Sequence, residues 1–257
     1  MEMKNSMKIN VKEVQYLKKI SNSFYDDIKI EFLYHSNKLE GSTFSEENLV
    51  DLLKQKQVVG EHFIDDVVET KNSIKLFDEV IDTLGNPIDK FLLWNWHRML
   101  KSGSVDDEIG NIGKWKLYPN KLLNTDLKLV EPNEVDSYIF NLLEDWKESK
   151  KDINAIANFH QRFEHIHPFQ DGNGRIGRFI ILKQCIENNI DLIAIDNEYN
   201  KEYKNALYEA QKNGNEQPLI DIFEKCQKSL DNKLSSLNDY MTKIDENIEK
   251  INKKNDD

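Results

Sequence analysis

Apolar residues recur along most of this chain every three or four positions, which is the period of an α-helix. The spacing is clearest over four stretches, 14–28, 91–100, 135–146 and 155–166. The second and third of these stretches are apolar enough to form interior helices. The pattern therefore predicts an all-α fold.

The stretch 110–135 interrupts the helical pattern. It contains two glycines, two prolines and the sequence Asn-Thr-Asp between two short apolar runs. This composition is typical of a turn between extended segments. We expect a small β-hairpin or an extended flap here.

The segment 230–257 follows a heptad pattern. Its apolar positions alternate at spacings of four and three, at Leu230, Leu234, Leu237, Met241, Ile244, Ile248 and Ile251. Such a repeat fits a long helix that packs back on the body, and it equally fits a coiled-coil seam to a second chain. Both interpretations stay open.

Charge and cysteine content narrow the class of protein. The formal net charge of −11 argues against general binding to nucleic acid or to an anionic membrane. Two cysteines, Cys185 and Cys226, do not suggest a disulfide framework. No apolar run approaches the roughly 20 residues of a membrane span. We expect a cytoplasmic protein.

The sequence HPFQDGNGRIGR, residues 167–178, concentrates chemically useful residues. Gly172, Gly174 and Gly177 satisfy the pattern GxGxxG, which in dinucleotide-binding folds follows a β-strand. Here the preceding stretch is helix-periodic, so a Rossmann turn is excluded. The glycines can instead turn successive N–H groups into an anion-binding concavity at the start of a helix predicted from Arg175 onward. We expect all three glycines at a bound nucleotide.

Four side chains complete this phosphate cradle. Arg175 and Arg178 are three residues apart on one side of the predicted helix and can both bind phosphate oxygens. Asp171 suits a divalent cation such as Mg²⁺ that bridges phosphates. His167 is suited to proton transfer near neutral pH. Together they predict a site for phosphate chemistry with a metal carboxylate and a general base.

These residues resemble the signature of the Fic family, HxFx(D/E)GNGRxxR. Every specified position matches, at His167, Phe169, Asp171, Gly172, Asn173, Gly174, Arg175 and Arg178. The flanking stretches 159–169 and 202–214 also resemble the family, and the resemblance covers roughly residues 25 to 225. It implies a Fic-type helical bundle with a short β-hairpin flap beside the active site. It also implies transfer of AMP from ATP to a Ser, Thr or Tyr hydroxyl of a protein.

The resemblance implies a role for each polar residue of the signature. His167 would deprotonate the target hydroxyl, which attacks the α-phosphate as pyrophosphate leaves. Asp171 would bind Mg²⁺, while Asn173 and the neighbouring glycine backbone hold phosphate oxygens. Arg175 would contact the β-phosphate, and Arg178 the γ-phosphate.

A second motif lies at residues 36–41. Gly41 is typical of a helix C-terminus, and Glu40 before it opposes the helix dipole, which favours a cationic partner. Ser36 and Glu40 resemble the inhibitory motif (S/T)xxxE(G/N) of Fic proteins, whose Glu pairs with the second arginine of the signature, here Arg178. The resemblance implies that Glu40 blocks the γ-phosphate contact. In some relatives the same Glu supports removal of AMP, so either direction stays open.

Further nucleotide contacts follow from the resemblance alone. Lys121 and Leu122 would cover the nucleotide from the flap, and Tyr203 and Gln211 would lie near the adenine. The family often places an arginine after an aromatic residue of the flap. This chain has Lys116 there, which lacks the planar fork of a guanidinium.

The sequence as a whole predicts three regions and one principal function. Residues 1–55 would carry the inhibitory motif, residues 56–229 would form the Fic catalytic core, and residues 230–257 the heptad-patterned helix. The expected function is an autoinhibited, Mg²⁺-dependent protein adenylyltransferase, with ATP as donor and an unidentified protein, or the chain itself, as target. Two alternatives are AMP removal or transfer of another phosphate-containing group through the same site, and a nucleotide-binding regulator that forms a homo-oligomer. His97 is expected to be a buried core residue.

Overall fold

A computed structural model of the chain describes residues 8–122 and 125–234. Its regular structure within these ranges is helical, without β-strands, which confirms the predicted all-α fold. The α-helices of the described residues are α1 Val11–Leu17, α2 Phe24–Leu39, α3 Glu46–Val50, α4 Ile64–Asp82, α5 Lys90–Lys101, α6 Val105–Glu108, α7 Val135–Glu148, α8 Ile153–Ile166, α9 Asn173–Glu187, α10 Asn200–Asn213 and α11 Gln217–Lys233. A π-helical turn, Asp51–Gln55, continues α3. Short 3₁₀ turns, Pro132–Glu134 and Asn197–Tyr199, precede α7 and α10.

Helix α9 occupies the centre of the fold. Thirteen of its fifteen residues are buried, so it is covered on all sides rather than along one face. Helices α2, α4, α5 and α8 all pack against it. The helix restarts at Asn173, two residues earlier than the sequence pattern predicts, because Gly172 adopts a left-handed φ of 79° just before it.

Helix α2 brings the second sequence motif to α9. The apolar period over 14–28 is divided between α1 and α2, since Asn22 has a left-handed φ of 55° and the Ser23 hydroxyl accepts the N–H of Tyr25. Helix α2 ends at Leu39, and Gly41 follows with φ 89°. Its packing on α4 and α9 places its C-terminal turn beside the first turn of α9.

The flap predicted at 110–135 contains no strand within its described residues, so the predicted hairpin ladder is wrong there. Its backbone instead forms hydrogen bonds with the end of α8 and with the loop that follows α8. The N–H of Lys116 donates to the carbonyl of Pro168 (2.8 Å), and the N–H of Val130 donates to that of His165 (3.4 Å). These N–H groups are therefore unavailable for pairing across a hairpin.

The described residues include only the start of the heptad pattern. Leu230 and Leu234 are buried at the end of α11, whereas the other heptad positions lie outside the described residues. Across 8–122 and 125–234, no helix combines the length and apolar character needed to cross a membrane.

Candidate active site

The loop between α8 and α9 has a fixed shape. Helix α8 ends where His167 takes a left-handed φ of 49°, and its N–H still donates to the carbonyl of Phe163 (2.9 Å). Pro168 then prevents the helix from continuing. The N–H of Phe169 donates to Oδ1 of Asn173 (2.8 Å), and Nδ2 of Asn173 donates back to the carbonyl of Phe169 (2.9 Å). Both polar atoms of this amide thus hold the loop, which gives Asn173 a structural role beside the phosphate contact expected of it.

His97 supports the loop from below. Its ring stacks on Phe169 with centroids 4.0 Å apart. Its Nε2 donates to the carbonyl of Asp171 (3.0 Å), while Nδ1 accepts the N–H of Gly113 (3.0 Å). Burial lowers the pKa of His97 to about 4, so the ring is neutral and both nitrogens are used. The expected core histidine therefore also positions the backbone of Asp171.

His167 is a neutral imidazole at the rim of the loop. Its Nδ1 lies 3.3 Å from the carbonyl of Glu164, an arrangement that assigns the proton to Nδ1 and leaves Nε2 as the basic nitrogen. Burial, together with the positive charge of Lys116, lowers the pKa of His167 to about 4. The side chain can therefore accept a proton at neutral pH.

Asp171 is ionised and accessible. Its side chain is 55% exposed, and Oδ2 accepts from Nζ of Lys101 (2.5 Å) and lies 3.7 Å from Nη2 of Arg175. Partial burial would raise the pKa of Asp171, but the charges of Lys101 and Arg175 outweigh it and hold the pKa at about 2. A permanently charged carboxylate of this kind suits a cation.

Two further carboxylates lie beside Asp171. One oxygen each from Glu69, Asp106 and Asp171 falls within 4.8 Å of the others, and hard oxygen ligands are those that Mg²⁺ prefers. The ammonium of Lys101 contacts all three carboxylates, including Asp106 at 2.6 Å. These carboxylates offer the oxygen ligands of a divalent cation, which would share them with the ammonium of Lys101.

The two arginines of the loop are each paired with a glutamate. Arg175 binds Glu69 of α4. Arg178 is almost fully buried, and its Nη2 donates to Oε1 of Glu40 at 2.6 Å. Burial would raise the pKa of Glu40, but the charges of Arg178 and Arg175 outweigh it and keep the pKa below its ordinary value.

Ser36 completes the binding of Arg178. Its hydroxyl accepts from Nε, and its carbonyl accepts from Nη2, both at 2.9 Å. The carboxylate of Glu40 lies directly over Gly174, where a Cβ atom would overlap its Oε1. Both residues of the second motif thus contact the first turn and a half of α9.

A small cavity lies beside Glu40 and the Glu69–Arg175 pair. It has a volume of about 120 Å³ and lies between the end of α2 and α4. Glu40, Glu69 and Arg175 are among the residues that line it. Of the groups predicted to bind phosphates, Arg175 therefore faces this cavity.

Glu164 of α8 lies behind this region. It is 9% exposed, and burial raises its pKa to about 8, although the positive charge of Arg178 opposes this. Its Oε1 faces Gly177, where a Cβ would lie 2.5 Å from it. Gly177 was expected at the nucleotide. In the structure, its missing Cβ allows α8 and α9 to pack closely together.

Comparison with known proteins decides the family. Residues 87–185 match the Fic/DOC family. This chain contains a Fic domain. The match includes the loop, most of α9 and the flap, although it does not reach α2 and its Glu40.

Curated relatives of the Fic domain are protein adenylyltransferases. The chain is 27% identical to protein adenylyltransferase Fic of Aedes aegypti over 214 residues, which is 79% of this chain and 41% of the mosquito protein. It is 34% identical to a probable protein adenylyltransferase of Aquifex aeolicus over 84 residues, 32% of this chain and 26% of the other. The chain thus spans less than half the length of these relatives.

Solved Fic structures share the fold. A Fic-domain-containing signaling protein of Bacteroides thetaiotaomicron superposes with a TM-score of 0.72 at 21% identity, covering 88% of this chain and 94% of the other. Residues 134–508 of Fic-1 from C. elegans give 0.69 at 18% identity, covering 90% and 72%. The Fic fold therefore extends beyond 87–185 to most of the chain.

The two residues expected to contact adenine, Tyr203 and Gln211, both have partners within the protein. Tyr203 is buried, and its hydroxyl lies 2.6 Å from Nε2 of His160, so it belongs to the core behind Arg178. Nε2 of Gln211 donates to the carbonyl of Gln161 (2.9 Å), which ties α10 to α8. Lys121 is exposed and Leu122 half-buried on the flap, a placement that is open to a ligand.

Several residues of the site carry no signal in the sequence alone. Glu69 and Lys101 lie in helices whose polar faces resemble ordinary solvated surfaces, and Asp106 follows in a short turn. Asn120 of the flap donates to the carbonyls of Phe169 and Gln170, both at 3.0 Å. Only the apolar context of Lys101, in FLLWNWHRMLK, hinted that this lysine would be buried.

Proposed function

We propose that this chain is an autoinhibited protein adenylyltransferase that transfers AMP from ATP to a Ser, Thr or Tyr hydroxyl of a protein, the chain itself included. The observation that carries the proposal is the loop geometry. A neutral His167 and an ionised Asp171 flank the N-terminus of a buried helix that contains two arginines. That combination supplies a base, a cation ligand and phosphate-binding groups within twelve residues of the chain.

The proposed reaction begins with proton transfer to His167. Nε2 accepts the proton of the target hydroxyl while the hydroxyl oxygen attacks the α-phosphorus. The bond between the α-phosphorus and the bridging oxygen breaks, and pyrophosphate leaves with that electron pair. Catalysis consists mostly of positioning and charge stabilisation, which the loop backbone and the two arginines provide.

The phosphates would be held by groups at the start of α9. The free N–H groups of its first turn suit phosphate oxygens, with Arg175 on the β-phosphate and Arg178 on the γ-phosphate. Asp171 would hold Mg²⁺, which neutralises phosphate charge when bound. Residues 56–229 would form the catalytic core, and residues 1–55 the inhibitory region. The free, buried cysteines Cys185 and Cys226 support a reducing compartment such as the cytoplasm.

Glu40 would act as the inhibitory residue. Its carboxylate and the γ-phosphate would compete for the same guanidinium, that of Arg178, because a carboxylate and a phosphate offer it similar oxygen pairs. With Glu40 bound, ATP would lack its γ-phosphate contact and would be held in an unproductive pose.

The proposal is tested by label transfer from α-³²P-ATP with Mg²⁺. A charged hydrogen bond is worth about 1.5–3 kcal/mol, so Glu40→Gly should increase labelling of the chain or of lysate proteins by about 10- to 100-fold. Glu61→Gly removes an exposed loop carboxylate and is the matched control. His167→Ala in the Glu40→Gly background should abolish labelling. Equal labelling with and without His167 would refute the mechanism, and no labelling in Glu40→Gly despite ATP binding would refute the activity.

The same geometry supports AMP removal as a second candidate. The carboxylate of Glu40 is 33% exposed and lies over Gly174, so water can reach it beside the first turn of α9. In that reaction Glu40 would orient the water that attacks the α-phosphorus of a modified protein. Glu40→Gln should then slow release of AMP from adenylylated substrate, whereas under the first proposal it should increase transfer.

A further inference from the structure

Lys116 binds the carbonyl groups on both sides of His167. Its ammonium donates to the carbonyl of Ile166 (3.1 Å), and its backbone N–H donates to the carbonyl of Pro168 (2.8 Å). The residue is only 3% exposed, although most of the described flap residues are exposed or half-buried. One residue of the flap therefore holds the carbonyls of the residues before and after the proposed base.

The backbone of His167 needs such support. Its left-handed conformation (φ 49°, ψ 61°) costs a non-glycine residue of the order of 1 kcal/mol and persists only where neighbours enforce it. Pro168 has no N–H with which to stabilise the turn. The ammonium of Lys116 also lies at the C-terminus of α8, where carbonyls lack helical partners and a positive charge is favoured.

The charge of Lys116 acts on the imidazole as well. The charged groups that face His167 are Lys116 from the flap, Glu164 from α8, Glu40 from the end of α2 and Asp171 from the loop. After burial, Lys116 contributes most to lowering the pKa of His167. Because the acceptor of its ammonium is a carbonyl rather than a carboxylate, its positive charge is not cancelled by an ion pair at that contact.

We propose that Lys116 is a positioning residue for His167, whose backbone it holds through the carbonyls of the two neighbouring residues. This inference rests on the proposed role of His167 as base. It also assigns the flap a function in the reaction, in addition to any contact with a target protein. The side chain of Lys116 would hold this backbone through one hydrogen bond from its ammonium to one carbonyl, whereas an arginine would offer a planar guanidinium.

The test uses variants at position 116 in the full chain and an NMR titration of the His167 imidazole without nucleotide. Lys116→Met removes the ammonium, Lys116→Gln keeps a donor without charge, and Lys116→Arg keeps both. Lys114→Met, two residues earlier in the flap, is the matched control. We expect the midpoint of the His167 titration to rise in the Met and Gln variants and to stay unchanged in the Arg variant and the control.

Activity gives the second readout, in the Glu40→Gly background. Misplacing the base should make AMP transfer about tenfold slower in Lys116→Met with little change in the KM for ATP, and should move the acidic limb of the pH–rate profile upward. Lys116→Arg should keep both the transfer rate and the position of the acidic limb. Lys116→Gln should retain more of the rate than Lys116→Met, since it keeps a donor for Ile166.

The outcomes separate the inference from the proposed function. An unchanged His167 titration in Lys116→Met, or an equal change in Lys114→Met, overturns the inference even if AMP is transferred. If Lys116→Met does not fold in a thermal melt, the same criterion applies to Lys116→Gln. A raised midpoint in a chain that transfers no AMP supports the positioning role and overturns the proposed activity alone.

Discussion

The two arginines at the start of α9, Arg175 and Arg178, are paired with glutamates in different ways. Glu40 caps the end of α2 just before Gly41, is 33% exposed and binds one cation, Arg178. Glu69 lies within α4, is 13% exposed and binds both Arg175 and Lys101. A movement of the end of α2 would suffice to release Glu40, whereas Glu69 could leave only if α4 moved. The Glu40–Arg178 pair is therefore suited to regulation, and the Glu69–Arg175 pair to stabilising the fold.

The largest effect that tests this difference between the two ion pairs is expected when the charge of Glu69 is removed. Glu69→Gln takes from Arg175 its closest carboxylate and leaves it only Asp171 at 3.7 Å, while Lys101 keeps Asp106 and Asp171. Because part of the charge stays compensated, the free energy of unfolding should fall by at most about 3 kcal/mol. Transfer activity should not rise, in contrast to Glu40→Gly. Urea unfolding and the label-transfer assay measure the two effects.

Glu79→Gln is the control, because it changes a partly buried glutamate on the same helix. If Glu69→Gln activated the chain as Glu40→Gly does, the two pairs would serve the same purpose and the distinction would fail.

The next effect concerns pH, because Arg178 has a second acid beside it in Glu164. The folded-state pKa of Glu164, about 8, lies above its ordinary value of 4.5, so the folded chain binds more protons in that interval. Stability from this group is complete below pH 4.5 and is lost as pH rises towards 8, by at most about 1.4 kcal/mol per pH unit. The histidines whose pKa values burial lowers, His97 and His167 to about 4 and His160 to about 3, act in the opposite direction as they titrate in the unfolded chain around pH 6.5.

Comparison with Glu164→Gln between pH 6.5 and 8 isolates Glu164, because the histidines and Lys116, whose pKa burial lowers to about 8, titrate in both chains. Urea unfolding across that window should show a change of stability with pH that is more negative in the native chain than in Glu164→Gln. Parallel slopes in the two chains would mean that Glu164 is already ionised at neutral pH, and that Arg178 has two anionic neighbours instead of one.

The smallest effect is expected at Ser36. Its hydroxyl is one of three acceptors for Arg178, and the carbonyl of Ser36 and the carboxylate of Glu40 remain in Ser36→Ala. Loss of one hydrogen bond of about 1 kcal/mol should raise AMP transfer less than about fivefold. Ser21→Ala, at an exposed turn, is the control. An activation as large as that of Glu40→Gly would transfer the main inhibitory role to Ser36.

The contrast between the pairs also explains what could be read from the sequence. Glu40 was predictable because it breaks a local rule, an acid at a helix C-terminus before glycine, within a motif that resembles a known one. Glu69 breaks no rule, since an acid within an amphipathic helix is ordinary on a solvated face. Its burial against Lys101 and Arg175 depends on which helices meet, and helical periodicity does not encode that.

The flap shows a second limit of sequence interpretation. Its glycines and prolines correctly indicated a break between helices, but the hairpin was wrong within the described residues because Lys116 and Val130 bond to α8 and its loop. Tyr203 was placed by resemblance near adenine, and the structure buries it against His160. Short-range patterns fix element type well, whereas the partner of an irregular backbone is set by tertiary packing.

Gly174 has a consequence for how such a protein can change over generations. The absent Cβ leaves the space that Oε1 of Glu40 occupies, and Gly174 also belongs to the turn that would receive phosphates. A side chain at this position would therefore displace the carboxylate of Glu40 and also disturb the turn proposed to bind phosphates. Under the proposed autoinhibition, loss of the inhibitory contact with activity retained would then require changes at the end of α2, whereas Gly174 has to stay.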